Sequence, residues 1–293
     1  MRVRFPSLIL ALTLTLTTAL APALAETRFS DLSKSERVVA QRFAANNSLF
    51  VLYHEVGHLL IDQLDLPVLG REEDAADNMA TWTLLSKHTR EADQALEDSA
   101  RGWLLSGVVY DSGGAESDYA ASHSLDKQRS YQIVCLMVGS DDHAFDPIAN
   151  QYALDVDRRD SCGAEYDLTK RSFEGLLGTR AIRNGPPTKV TVTYHTATGR
   201  LKPAAEAFKA SGIFDQVAEE LRTKYSLREP GKFNAKRCGE ANAFFDPETT
   251  EIIFCYELMQ DYLDLYLSDY TPPVTAPTTK TKGGGQNGTK DKG

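Results

Sequence analysis

The segment His54-Glu55-Val56-Gly57-His58 constrains this chain more than any other five residues. It lies within residues 49–64, where Leu49, Phe50, Val51, Leu52, Leu59 and Leu60 make an apolar run that Pro67 and Gly70 bring to an end. Such a run reads as a buried helix. On a helix, positions i and i+4 share a face, so both imidazoles point the same way. Two imidazoles and a carboxylate in an apolar helix need a compensating partner. One metal ion within reach of both histidines supplies it. Glu55, beside that face, is then placed as general base for a metal-activated water. A pair of hydrogen-bonded core histidines is the plainer reading of the same residues.

A catalytic zinc usually has three protein ligands and one open position. Residues 71–77, Arg-Glu-Glu-Asp-Ala-Ala-Asp, open the next helix. Glu73 and Asp77 are four apart and share a face. Glu73 is the expected third ligand, with Glu72 and Asp74 as the alternatives. Asp77 is expected to accept a hydrogen bond from the far nitrogen of a ligating histidine, which fixes its tautomer. The helix macrodipole alone favours an acidic first turn. That accounts for Glu72, Glu73 and Asp74, but not for Asp77, which precedes Met79, Ala80 and Trp82.

Around this centre the chain reads as mostly helical up to residue 187 and mixed thereafter. Ser33 and Glu36 form a capping-box signature for a helix to about Ala45. Further helices are expected over 72–86, 90–105 and 124–138, with a loop at Asp111-Ser112-Gly113-Gly114. Val190, Val192 and Tyr194 alternate with threonines, a strand pattern. Residues 201–225 read as helix broken at Ser211-Gly212. Residues 242–245 and 252–256 read as a hairpin around Asp246-Pro247-Glu248-Thr249, and 257–267 as a last helix. The class is therefore α+β, in one domain over 26–270 or in two lobes divided near 187. From Thr271 the Pro, Thr, Gly and Lys composition reads as a disordered tail.

Arg2 and Arg4, an apolar run over 8–20 and Ala23-Leu24-Ala25 form a secretory signal pattern over residues 1–25, with a mature start near Glu26 and no membrane span after cleavage. The expected location is secreted or periplasmic. The net charge of −9 repels phosphate backbones, so nucleic acid is not an expected partner. Cys135, Cys162, Cys238 and Cys255 allow three disulfide pairings in an oxidising space. The sequence-local choice is Cys135–Cys162 with Cys238–Cys255. No Cys-x-x-Cys spacing favours a four-cysteine zinc site instead.

His54-Glu55-Val56-Gly57-His58 followed by a helix carrying Glu-x-x-x-Asp resembles the glutamate-type zincins, of which thermolysin is the familiar member. More closely, HEVGHLLIDQLDLPVLGREEDAAD from His54, SHSLDKQRSYQIVC from Ser122 and CGEANAFFDPETTEIIFCYEL from Cys238 are similar to a family of bacterial metallopeptidases of undefined function. The likeness touches most of residues 50–260. It implies a zincin-like domain that hydrolyses peptide bonds in peptides or proteins with one zinc per chain. Two roles follow by the same likeness. Thermolysin-like enzymes stabilise the oxyanion with an Asp-oriented histidine outside the zinc motif, for which His123, with Asp118 before it, is the candidate. A capping or surface histidine is the plainer reading of His123. Asn242-Ala243-Phe244-Phe245 resembles the edge strand with which those enzymes hold substrate backbone, which makes Asn242 and Ala243 candidate substrate contacts. There the strand precedes the zinc helix, whereas here it follows by nearly two hundred residues. Asp126 and Arg129 are expected to pair with each other. The rival from another class is a non-catalytic zinc-binding or scaffold protein that kept the fold.

Overall fold

The computed structural model describes residues 28–179 and 187–270. The expected signal segment (1–25) and tail (271–293) lie outside them. The first half is built of α1 (Lys34–Gln63), α2 (Glu72–Leu85), α3 (Arg90–Val109), the short α4 (Glu116–Tyr119), α5 (Asp126–Ser140), α6 (Asp146–Gln151) and α7 (Val156–Gly178). The second half runs β1 (Val190–Tyr194), α8 (Lys202–Ser211), α9 (Ile213–Lys224), β2 (Gly231–Lys236), β3 (Ala243–Asp246), β4 (Glu251–Cys255) and α10 (Tyr256–Asp269). The strands form one sheet in the order β1-β2-β4-β3. The pairs β1–β2 and β2–β4 are parallel, and β3–β4 is antiparallel. The fold is α+β.

Helix α1 is continuous where the sequence predicts two helices. Its start follows the capping box, with Ser33 accepting from the Glu36 amide and Glu36 accepting from the Ser33 amide. The segment Asn46-Asn47-Ser48 does not break it, because these side chains are satisfied within the helix and across to α3. Asn47 donates to the carbonyls of Phe43 and Asp98, and Ser48 donates to that of Ala44. From Leu49 to Leu60 nearly every residue is buried, because α1 is the axis on which both halves pack. Helices α2 and α3 pack on it from the first half, and α9, α10 and β3 from the second. One buried apolar cluster accordingly runs from Leu32 to Tyr266. A polar tie crosses the same boundary, where Glu220 of α9 accepts from Tyr53 of α1 at 3.0 Å and from Lys87, just past α2, at 2.5 Å.

Two disulfides, Cys135–Cys162 between α5 and α7 and Cys238–Cys255 across the sheet end, make the sequence-local pairing. Such bonds belong to a chain matured in an oxidising compartment. Among the described residues no helix is long and apolar enough to cross a membrane.

The approach of α1 to α2 sets the geometry of everything that follows. A Cβ built on Gly57 would stand 3.1 Å from Ala76 Cα and 3.2 Å from its Cβ. The missing side chain of one helix and the small one of the other bring the two backbones together at the histidines. We predict that Gly57→Val destabilises the fold by about 1–3 kcal/mol through overpacking. Gly163→Ala, on α7 with no heavy atom near the new methyl, should instead gain about 0.5–1 kcal/mol from helix propensity. Denaturant midpoints of the two variants check this. Equal tolerance of both would contradict the close-approach account.

Candidate metal centre

Helix α1 carries His54, Glu55 and His58, and the first turns of α2 carry Glu72, Glu73 and Asp77. Because α1 and α2 touch at Gly57 and Ala76, these side chains meet in one place. His54 Nε2 and His58 Nε2 are 3.1 Å apart, and Glu73 Oε2 is 3.2 Å from each. The outer nitrogens are both held by carboxylates. His54 Nδ1 donates to Asp77 Oδ1 at 2.7 Å, and His58 Nδ1 donates to Glu72 Oε1 at 2.8 Å. With the protons on Nδ1, both Nε2 atoms present lone pairs. Two lone pairs and a carboxylate oxygen turned toward one another repel unless a cation lies between them.

The size of this triangle fits a metal ion. Tetrahedral zinc with bonds of about 2.0–2.1 Å places its ligand atoms about 3.3 Å apart. The three observed separations are close to that, and the donors are the nitrogen and oxygen types zinc accepts. Without an ion, the same carboxylates draw a proton onto the imidazoles in its place. Burial opposes a charged His54, but its bonds to Asp77 and Glu73 outweigh this and lift the imidazole to about 9. His58 moves in the same direction, again against burial, through Glu73 and Glu72. Glu73 is held far below the usual carboxylate range, first by His123 and then by His54 and His58. The cluster stabilises positive charge at the point where the donors converge.

Behind His54 the support is buried and ionic. Asp77 accepts two bonds from Arg129, Nε to Oδ2 and Nη2 to Oδ1, each 2.7 Å. Arg129 stacks on Trp103 with its guanidinium carbon 3.6 Å from the ring centre. Burial would raise the Asp77 carboxyl, but Arg129 and His54 outweigh it and keep it low. Arg129 therefore pairs with Asp77 and not with Asp126, whose carboxylate accepts from Ser106 instead. The i, i+3 spacing was the wrong guide, because the guanidinium reaches across to α2.

Glu55 is buried, and burial pushes its carboxyl up despite the two histidines. The backbone amide of Phe245 on β3 bears on this carboxylate, and that strand packs against α1. Strand β3 is an edge of the sheet. Cys255 N donates to Asn242 O at 3.0 Å, so residues 242 and 255 are a hydrogen-bonded pair. Alternation then turns the backbone N–H and C=O of Ala243 and Phe245 toward the free edge. Asn242 Oδ1 accepts from the Ala243 amide at 2.9 Å. His54, Glu55, His58, Glu73, His123, Asn242, Ala243 and Phe245 all line one open cavity of about 1120 Å³.

His123 reaches this centre from the segment between α4 and α5. Its Nε2 lies 2.8 Å from Glu73 Oε2, and its ring stacks at 22° to that of His54. Asp118 does not orient it. That carboxylate accepts from the amides of Gly113 and Ala115 and closes the loop, and the partner of His123 Nδ1 is Ser122 Oγ at 3.3 Å. Sequence reasoning missed the roles of Glu72, as support for His58, and of Arg129, as support for Asp77. The i, i+4 offsets of His54–His58 and Glu73–Asp77 fix faces of single helices, whereas these two contacts depend on how the helices cross.

The match with known proteins covers most of the chain. The model of a family described as "Putative metallopeptidase" matches residues 15–177 and 194–281. No curated protein and no solved structure matches. The two matched segments contain every residue of the convergence just described, and the chain belongs to that metallopeptidase family.

Proposed function

We propose that this protein is an exported zinc-dependent peptidase that hydrolyses peptide bonds. The observation that carries the reading is the convergence of His54 Nε2, His58 Nε2 and Glu73 Oε2 beside the carboxylate of Glu55, in a cavity bordered by a free strand edge. Zinc held by His54, His58 and Glu73 would polarise a substrate carbonyl and lower the pKa of water. Asp77 and Glu72 hold the two imidazoles in the tautomer that leaves Nε2 free to ligate. Glu55 takes a proton from the attacking water and delivers it to the leaving amine. Its burial favours this exchange, because a carboxyl shifted upward is a better proton acceptor than an ordinary one. His123 Nε2, at the open side, donates to the oxyanion as it forms. The Ala243 carbonyl, and its amide once the Asn242 side chain turns away, pair with an extended peptide backbone. Export rests on the two disulfides and the signal pattern. The N-terminal sequence of the mature chain checks it, and a start far from Glu26 would count against cleavage there.

Two sets of variants test the assignments. In the first, competition with a chromophoric chelator measures zinc affinity. Glu73→Ala should weaken binding most, and Asp77→Ala by about 10–100-fold, the usual range for a partner that orients a ligand. Glu72→Ala should cost less than Glu73→Ala, because Glu72 touches only His58 and is half exposed. If Glu72→Ala is the more damaging, the ligand is Glu72.

In the second, Glu55→Gln keeps the size of the side chain and removes its basicity. The variant should fold and bind zinc as the wild type does. Turnover of a mixed peptide library should fall by about 10²–10⁴-fold, the contribution of a general base. Loss of zinc or of the fold in Glu55→Gln would make the residue structural. A wild type that binds zinc and cleaves no peptide would put the binding-protein reading ahead.

A further inference from the structure

Three imidazole nitrogens, not two, approach the single oxygen Glu73 Oε2. His54 Nε2 and His58 Nε2 stand 3.2 Å from it, and His123 Nε2 stands 2.8 Å from it. The donor atoms of His54, Glu73 and His123 all lie within 4.8 Å of one another. The ring of His123 is nearly parallel to that of His54, with centroids 5.9 Å apart. Ser122 Oγ can accept a hydrogen bond from His123 Nδ1–H at 3.3 Å, a tautomer that leaves Nε2 with its lone pair.

The backbone around His123 is tied to the helix that bears the ligand. Ser124 donates to Asp74 at 2.7 Å, and Arg71 reaches the His123 carbonyl at 3.5 Å. Arg71 is the N-cap of α2 and Asp74 lies in its opening turn, so both flank Glu72 and Glu73. The loop is thus moored at the metal centre, while the His123 side chain itself stays 46% exposed and can rotate.

Resting on the zinc-site reading above, we propose that His123 is a displaceable fourth protein ligand. With His54, His58 and Glu73 it completes a four-coordinate shell in the resting protein, the closed arrangement of structural sites. Hydrolysis needs that fourth position, so His123 must leave before substrate binds productively. Once it has swung off and its Nε2 has taken up a proton from solvent, the same Nε2–H faces the cavity, where the oxyanion forms. One residue then both closes the resting site and serves the reaction.

The test uses the full mature protein, stripped of metal and reloaded with Co²⁺, with visible absorption as the readout. In the wild type, millimolar azide should leave the spectrum nearly unchanged, because His123 holds the fourth position. In His123→Ala, azide should enter the opened position and shift the bands. Chelator competition should show that His123→Ala binds Zn²⁺ at least about tenfold more weakly, as a lost ligand costs no less than a lost orienting partner. His123→Gln should resemble His123→Ala, and circular dichroism confirms the fold of both. Equal Zn²⁺ affinity together with an equal azide response in wild type and His123→Ala would overturn the proposal. His58→Ala separates the two failures. If it loses metal while His123→Ala matches the wild type, only the fourth ligand is refuted. If it retains stoichiometric metal, the zinc-site reading falls and takes this proposal with it.

Discussion

The need for positive charge among converging donors is the interaction on which the rest of this structure depends. Two imidazole nitrogens 3.1 Å apart and a carboxylate oxygen facing them do not share a site unless something positive, a proton or a metal ion, joins them. The fold goes to some length to hold them there. Gly57 lets α2 approach α1 until Ala76 fills the space of a side chain, and that contact carries Glu73 to the two histidines. Helices α9 and α10 and strand β3 then wrap the other sides of α1. The apolar character of α1, which reads as a core helix, is what makes the charges on it costly and therefore informative.

The supports of the two histidines differ in kind. His54 leans on a fully buried ion pair, Asp77 with Arg129, whose two parallel hydrogen bonds leave the carboxylate no freedom to turn. His58 leans on Glu72, which is half exposed. A buried pair costs several kcal/mol in desolvation for each ion and is weak evidence for stability by itself. Its retention behind His54 is accounted for if it fixes the orientation of a ligand. The opposite wall of the cavity is the edge strand β3, whose outward-turned backbone at Ala243 and Phe245 faces the same space as Glu55, with the Phe245 amide directed at that carboxylate. The converging histidine and glutamate donors, the Glu55 carboxylate and the strand edge thus come from three elements, α1, α2 and β3, that meet only through tertiary packing.

What was legible in the sequence follows from which offsets are local. His54 and His58, or Glu73 and Asp77, share a helix face by spacing alone, and the structure brings all four together as that spacing implies. The strand at 190–194, the helix break at Gly212 and the two strands around Pro247 were readable from alternation and turn chemistry. Helix α7 was not, because its 23 residues include only three buried ones and carry no apolar stripe. Strand β2 was not, because Gly231-Lys232-Phe233-Asn234-Ala235-Lys236 alternates with small and charged residues and is recognised only by its two parallel neighbours. Continuity of α1 through Asn46-Asn47-Ser48 depends on side chains finding partners on α3. Arg129 chooses Asp77 over Asp126 for the same non-local reason.

The central claim, that this convergence of donors is a zinc site, is tested most directly by X-ray absorption at the zinc edge on the purified mature protein. The account predicts a first shell made only of nitrogen and oxygen neighbours, at about 2.0–2.2 Å. A shell containing sulfur at about 2.3 Å, or a protein that takes up no zinc, would contradict it.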